Sequence, residues 1–146
     1  MVILSKFAEN LFLLMQEHNL KAPELAKILE TDRTNITRYL QGKRLPSYSL
    51  FVKIVDFFNV SADVLLGRVD YCDTKTFHPV QPFGVVFRKV LDETHISQYR
   101  IQKDLHFSSA TTYSWLLDKR IPSMEHLDQL ADYLDVSIDY LLGRIS

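Results

Sequence analysis

The sequence contains an internal repeat: shifted by 76 residues, the chain aligns with itself without a gap. Residues 7–70 then lie opposite residues 83–146, and 17 of the 64 aligned positions are identical. Solenoid repeats have periods of about 20–50 residues, so a repeating unit of this length is a whole small domain. The repeat therefore predicts two copies of one domain, over residues 1–68 and 83–146, and the functional question becomes what a duplicated small domain does.

Composition favours helical domains with small cores. Apolar residues make up 47% of the chain, and only four glycines and five prolines are present, which fits helices better than a sandwich or a barrel. The single cysteine, Cys72, excludes an internal disulfide framework and favours a reducing compartment. No basic segment precedes an apolar run at the start, and we expect no signal peptide and no membrane span. These features predict a cytoplasmic protein.

The charges are unevenly distributed, although the net charge is only −1. Residues 21–44 carry a net charge of +3 and residues 97–120 carry +2, whereas residues 121–146 carry −4. Clustered bases are the electrostatic footprint of a nucleic-acid-binding surface. The charge pattern by itself fits either a DNA partner or ordinary solvated helix faces.

Apolar residues at helical spacing predict five helices in each copy and no strand. Serines and an aspartate mark helix starts, while glycines and prolines mark helix ends and loops. In the first copy the predicted helices cover about 6–18, 22–29, 33–41 (capped by Asp32), 48–58, and a short helix capped by Ser61. In the second copy they cover about 83–94, 98–105, 109–117, a helix capped by Ser123 and a short helix capped by Ser137. The predicted fold is all-α, with two tandem five-helix domains joined by a proline-containing linker over 69–82.

The second and third helices of each copy are separated by only about three residues, which is typical of a DNA-binding helix-turn-helix. Glu30 and His106 occupy the turn, at a position where φ is often positive. In the third helices, Ile36 and Leu40 are predicted to face the core of the first copy, and Thr112 and Leu116 that of the second. Trp115 is either a core residue or an exposed anchor, and its position favours the core.

The first copy resembles the phage-repressor/Cro-type helix-turn-helix family, also called the xenobiotic-response-element family. The resemblance covers nearly all of residues 7–67 and, more weakly, residues 83–143. It is carried by Leu25-Ala26, by the stretch from Ile36 to Ser47 with its Gly42-Lys43-Arg44 and Pro46-Ser47, and by the stretch from Phe57 to Gly67. The resemblance implies a repressor-like regulator whose third helix enters the major groove of double-stranded DNA.

The resemblance also implies a set of DNA-contacting residues in the first copy. Arginine grips guanine through two acceptors, asparagine grips adenine similarly, and a threonine methyl group meets the thymine methyl group. Lysine and arginine beyond the helix bind phosphate. The expected contacts are Arg33, Thr34, Asn35, Arg38 and Gln41 on the helix, with Lys43 and Arg44 just beyond it.

The second copy departs from this pattern, because its third helix exposes no arginine or lysine. Asp118 replaces Gly42 and places a negative charge where phosphate should approach, and Gln102 replaces Ala26, which is awkward for close helix packing. The candidate DNA contacts here are Gln98 at the start of the second helix, Ser109, Ala110, Thr111 and Ser114 on the third, and Lys119 and Arg120 beyond it. The sequence leaves open whether this copy reads bases.

Other chemistry finds no support in the sequence. The five histidines and Cys72 show no metal-ligand spacing, and neither a phosphate-binding loop nor a nucleophile elbow is present. We therefore predict no metal, no cofactor and no enzymatic activity. The leading hypothesis is a sequence-specific DNA-binding transcriptional regulator. The alternative is a protein-binding regulator or dimerisation module, in which the second copy contacts a homodimer partner or another protein.

Overall fold

A computed structural model describes residues 2–146 of the chain, and within that range it contains helices and no strand. The first five helices are α1 (Val2–Glu17), α2 (Ala22–Ile28), α3 (Arg33–Leu40), α4 (Tyr48–Phe58) and α5 (Ala62–Leu65). The next five are α6 (Phe83–Thr94), α7 (Gln98–Leu105), α8 (Ser109–Leu116), α9 (Met124–Leu134) and α10 (Ile138–Leu141). The chain divides into two compact units, with the boundary between Thr76 and Phe77. The prediction of an all-α fold with two five-helix domains is confirmed.

The predicted helix bounds differ most from the structure at the start of α1. The sequence predicted a helix from about residue 6, whereas α1 begins at Val2. Ile3 is buried, one helical turn before Phe7, and therefore extends the apolar stripe of α1 by a turn. In the second unit Pro82 occupies the N-cap, so that α6 starts at Phe83.

Serine side chains cap most of the helix starts. In each case the serine Oγ accepts a hydrogen bond from the backbone N–H three residues later, at 3.0–3.3 Å. The capping serines are Ser47, Ser61, Ser97, Ser108, Ser123 and Ser137. Asp32 occupies the N-cap of α3 as predicted, but its carboxylate makes no capping hydrogen bond; its backbone carbonyl accepts from Asn35 and Ile36 instead.

A large aromatic residue of the third helix lies at the centre of each unit. Tyr39 of α3 is 2% exposed and its ring lies 6.0 Å from that of Phe7. The repeat-equivalent Trp115 is also 2% exposed, which confirms the prediction of a core tryptophan. Leu40 and Leu116, predicted to face the core, are only partly buried. Tyr39 was not among the predicted core residues of α3; it takes the inward position because α3 packs on α1 through the face that carries Ile36 and Tyr39.

The left-handed backbone positions repeat with the same period as the sequence. Every residue with positive φ in 2–146 has a counterpart 76 residues away with φ in the same region, which gives five pairs. The pairs are Asn19 and His95, Glu30 and His106, Gly42 and Asp118, Asn59 and Asp135, and Gly67 and Gly143. The positive φ expected at Glu30 and His106 is confirmed, and the two units share one backbone design despite their different side chains.

A buried ion pair joins the last helix of each unit to the residues that follow it. In the second unit Arg144 Nη1 lies 2.6 Å from Asp139 Oδ1, and the two side chains are 1% and 2% exposed. The Arg144 guanidinium also stacks 4.1 Å from the Phe77 ring centroid, and the His78 N–H donates to the Arg144 carbonyl at 2.8 Å. The matching pair in the first unit is Asp63 and Arg68, at 3.0 Å. Residues 77–78, inside the segment proposed as a linker, therefore pack on the second unit.

Candidate nucleic-acid interface

The exposed side of α3 presents two unpaired arginines. Arg33 lies at the first position of α3 and Arg38 lies near its end, and both are exposed. Lys43 and Arg44 follow the left-handed Gly42 and are exposed as well. Among residues 2–146, none of these four cations has an ion-pair partner within 4.0 Å. The first unit therefore holds four cations on or just after α3 without carboxylate partners.

The polar residues between these cations differ in exposure and in their local hydrogen bonds. Thr34 and Gln41 are exposed, as is Thr37, whose hydroxyl donates to the Arg33 carbonyl at 3.1 Å. Asn35 is only partly exposed, because its Nδ2 donates to the Thr31 hydroxyl in the turn at 2.9 Å. The Asn35 side chain is thus positioned by the turn, and its carbonyl oxygen remains available as an acceptor.

A lysine of α4 offsets the negative charge in the turn between α2 and α3. Glu30, at the left-handed position of the turn, lies 3.8 Å from the Lys53 ammonium group, which also donates to the Leu29 carbonyl at 3.4 Å. Both side chains are well exposed, so the pair contributes little to stability. Its effect is electrostatic, because Lys53 offsets the negative charge that Glu30 brings beside α3.

In the second unit the buried contact between α7 and α8 is polar. Thr112 of α8 is fully buried, and its hydroxyl accepts from Gln102 Nε2 at 2.8 Å and from Gln98 Nε2 at 3.0 Å. The same hydroxyl donates back to the helix, with the Ser108 and Ser109 carbonyls at 3.4 and 3.3 Å. One hydroxyl can accept two hydrogen bonds and donate one, so Thr112 is fully satisfied. Gln102, expected to hinder packing, is accommodated by this bond.

The polar cluster engages the side chain of Gln98, a residue predicted to contact DNA. In the first unit the three matching positions are Ala22, Ala26 and Ile36. Gln98 was predicted to contact DNA, but its side chain is partly buried and its amide nitrogen is engaged by Thr112. The signal for this arrangement was present in the sequence, since a polar residue replaces an apolar one at all three positions together.

The exposed face of α8 is uncharged. Ser109 and Ala110 are exposed, whereas Thr111 and Ser114 are partly exposed and hydrogen-bonded locally. The Ser114 hydroxyl donates to the Thr111 carbonyl at 2.6 Å, and the Thr111 hydroxyl accepts from Ser108 at 2.8 Å. Four large apolar or aromatic side chains are at least 43% exposed on α7, α8 and the segment after α8: Tyr99, Tyr113, Leu117 and Ile121.

Lys119 and Arg120 follow α8 and are exposed, at the positions that match Lys43 and Arg44. Their backbone N–H groups donate to the Ser114 carbonyl at 2.9 and 3.3 Å, closing the C-terminal end of α8. The intervening Asp118 directs its carboxylate to the Gly84 N–H at 2.7 Å, in the first turn of α6. The negative charge expected to face phosphate is therefore bound at a helix N-terminus, where it is stabilised by the helix dipole.

Each unit contains a short helix pair followed by exposed cations. This is the architecture of the helix-turn-helix class of DNA-binding domains. Comparison with family models agrees: residues 11–65 match a helix-turn-helix model, and residues 87–146 match the Cro/C1-type HTH DNA-binding domain. The chain belongs to this family and carries two tandem copies of its domain. No curated protein and no solved structure matches it.

Residues 2–146 contain neither a metal-ligand cluster nor a helix that could span a membrane. No three histidine, cysteine, aspartate or glutamate side chains in that range converge as a metal site would require. None of the helices there combines the length and the apolar character needed to cross a membrane.

Proposed function

We propose that the chain is a sequence-specific DNA-binding transcriptional regulator in which α3 and α8 each enter a major groove. The observation that supports this most directly is the pair of exposed, unpaired arginines on α3, Arg33 and Arg38. Arginine binds guanine O6 and N7 with two parallel hydrogen bonds, which is the commonest specific contact in the major groove. An arginine without a carboxylate partner gives up no intramolecular ion pair when it makes that contact.

The other residues of the first unit supply two kinds of contact. Thr34, Asn35 and Gln41 would meet base edges, with Asn35 held in place by Thr31. Lys43 and Arg44 would bind phosphate and fix the register of α3 on the duplex. In the second unit Lys119 and Arg120 would anchor the backbone, while Ser109, Ala110, Thr111 and Ser114 would face the bases. Gln98 would contribute through its carbonyl oxygen.

The proposal treats residues 1–68 and 83–146 as two readers joined through residues 69–82. Linking two modest binding modules makes the second binding event intramolecular, and this raises the overall affinity without a new contact. Double-stranded DNA is the partner. The proposed mechanism involves no catalytic step and no cofactor, and we expect it to operate in the cytoplasm.

A second candidate function comes from the uncharged face of α8. That face lacks cations and exposes Tyr113, while Tyr99 on α7 and Leu117 and Ile121 after α8 are exposed as well. Aromatic residues are common at protein interfaces. In this alternative the second unit is a dimerisation or protein-binding module, and the first unit alone reads DNA. The acidic stretch over 121–146 favours such a role, since it repels a DNA backbone.

Selection of binding sites from a random duplex pool, with the full chain at moderate salt, tests both candidates. Two unlike half-sites in a fixed arrangement are expected if both units read DNA within one chain. A palindrome of one half-site would support the alternative, with the first unit reading and two chains pairing. The absence of any enriched sequence would overturn the proposal of sequence-specific binding.

A further inference from the structure

The two units present opposite chemistry at matching positions of their third helices. In the first unit the exposed face holds cations and amide or hydroxyl groups; in the second unit the corresponding side chains are small, aromatic or aliphatic. The matching pairs are Arg33 and Ser109, Thr34 and Ala110, Thr37 and Tyr113, Arg38 and Ser114, and Gln41 and Leu117. If both helices enter major grooves, they must recognise different features of the bases.

Both units carry the same two cations, a lysine and an arginine, for the proposed contact with the DNA backbone. Lys119 and Arg120 follow a left-handed residue, as Lys43 and Arg44 do. The φ values at Gly42 and Asp118 are 69° and 54°, so the chain leaves α3 and α8 in the same conformation. Because the Asp118 carboxylate is bound by the Gly84 N–H, its repulsion of an approaching phosphate is reduced. The second unit therefore keeps a DNA-docking geometry while its base-facing chemistry has changed.

Few hydrogen-bonding groups on α8 are free to read a base edge. The hydroxyls of Thr111 and Ser114 take part in local bonds, and Thr112 is buried with its glutamine partners. Near the start of α8, where recognition helices commonly meet bases, Ala110 offers a methyl group. One turn later Tyr113 offers a ring that is 57% exposed.

The major groove contains one apolar feature, the C5-methyl group of thymine, and alanine, threonine and aromatic side chains contact it. We propose that the second unit selects its half-site by 5-methyl groups, through Ala110 and Tyr113, whereas the first unit selects purine acceptors through its arginines. This inference rests on the proposed function, and it assigns to the second unit a ligand chemistry of its own. It also implies that 5-methylcytosine, which carries the same methyl group at the same ring position, replaces thymine in part.

The test uses the full chain and the duplex selected from the random pool, with single atoms altered in one half-site at a time. Replacing thymine by uracil removes only the methyl group. In the half-site of the second unit each such change is expected to weaken binding about fourfold, the factor that corresponds to one buried carbon. Replacing guanine by 7-deazaguanine removes only the N7 acceptor. That change is expected to weaken binding through the half-site of the first unit and to leave the other half-site nearly unaffected.

A protein variant assigns the methyl effect to a residue. Tyr113→Ser removes the ring and adds no methyl group, and it is expected to reduce the uracil effect at the contacted thymine to less than twofold. Tyr71→Ser is the matched control, because Tyr71 is 74% exposed and lies outside both α3 and α8. The control variant should retain the full uracil effect. Trp115 fluorescence verifies that the second unit remains folded in each variant.

The possible outcomes separate this inference from the function on which it rests. A selected second half-site that tolerates uracil, or that loses affinity with 7-deazaguanine as the first one does, would overturn methyl reading while DNA binding by both units stands. Selection of a single kind of half-site would overturn it as well and would favour a protein-docking role for α8. The absence of any selected sequence would count against the proposed function itself.

Discussion

The Asp118 carboxylate of the second unit accepts a hydrogen bond from the Gly84 N–H at 2.7 Å and so caps the first turn of α6 from 34 residues away. A Cβ atom on Gly84 would lie 2.6 Å from Asp118 Oδ2 and 2.6 Å from the Leu116 carbonyl oxygen, so the site requires glycine. In the first unit the same two positions are Ala8 and Gly42. Glycine occupies the turn position in the first unit and the helix position in the second. In the second unit its lack of a side chain leaves room for the Asp118 carboxylate that caps α6.

Asp118→Ala should destabilise the second unit by about 2 kcal/mol. Roughly half of this loss comes from the missing cap, and half comes from placing an alanine at positive φ. Unfolding in urea followed by Trp115 fluorescence measures this, because the only tryptophan lies in the second unit. Asp118→Asn keeps an acceptor oxygen and tolerates positive φ, so it should lose less than half as much. Equal losses in the two variants would show that the hydrogen bond does not contribute.

Thr112→Val should cost about 1–2 kcal/mol, because the amide groups of Gln98 and Gln102 lose their shared acceptor while the side-chain volume stays nearly constant. The triple variant Gln98→Ala, Gln102→Ala and Thr112→Ile copies the first unit and should regain the loss, since no polar group is then left unpaired. Urea unfolding compares the two. A triple variant no more stable than Thr112→Val would contradict this account of the cluster.

Sequence reasoning was most successful where structure depends on local signals. Each predicted serine cap accepts its expected N–H, and apart from α1 the helices begin and end within a residue or two of the predicted bounds. These features depend on three or four consecutive residues. The start of α1 was missed because the burial of Ile3 depends on residues that pack against it from elsewhere in the unit.

The candidate site was less predictable, because its polar contacts join distant parts of the chain. Asp118 was assigned an unfavourable charge, yet its partner Gly84 lies in another helix. The bonds from Gln98 and Gln102 to Thr112 likewise span α7 and α8. Both arrangements leave a trace in the repeat, since the interacting positions change together between the two copies. Comparison of paired positions, rather than single ones, could have revealed them.

Arg38→Ala should weaken binding to the selected duplex by about 1–3 kcal/mol and relax the preference at one base pair. Fluorescence anisotropy with the selected duplex and with single-base variants measures both effects. Arg38→Lys is the informative control, because it keeps the charge but loses the two-pronged geometry that fits guanine. Unchanged affinity in Arg38→Ala would show that α3 does not dock as proposed.

Lys43→Ala should weaken binding to all duplexes alike, because a phosphate contact carries no sequence information. The slope of log affinity against log salt should become shallower by about one unit. Lys75→Ala is the matched control: Lys75 is exposed, lies outside both helix pairs and should leave the slope unchanged. A loss restricted to the selected duplex would instead indicate a base contact.

Asp139→Ala should destabilise the second unit by about 3–5 kcal/mol, because it leaves the Arg144 guanidinium buried without its carboxylate. Asp63→Ala should cost the first unit less, since the Arg68 side chain is 13% exposed and reaches water more easily. Tryptophan fluorescence follows the second unit, and circular dichroism of the full chain follows both. Equal costs in the two units would argue against burial of the arginine as the cause of the difference.

The turns that precede α3 and α8 limit how these helices can be transferred to another protein. Glu30 and His106 adopt left-handed φ values of 58° and 60° without the freedom of glycine. Non-glycine residues adopt that conformation uncommonly, so contacts within each unit must stabilise the turn and with it the angle of each helix pair. A peptide covering only α2 and α3 would lose this angle, and grafting α3 alone onto another protein would not transfer it. The smallest part of this chain expected to keep the angle is an entire five-helix unit.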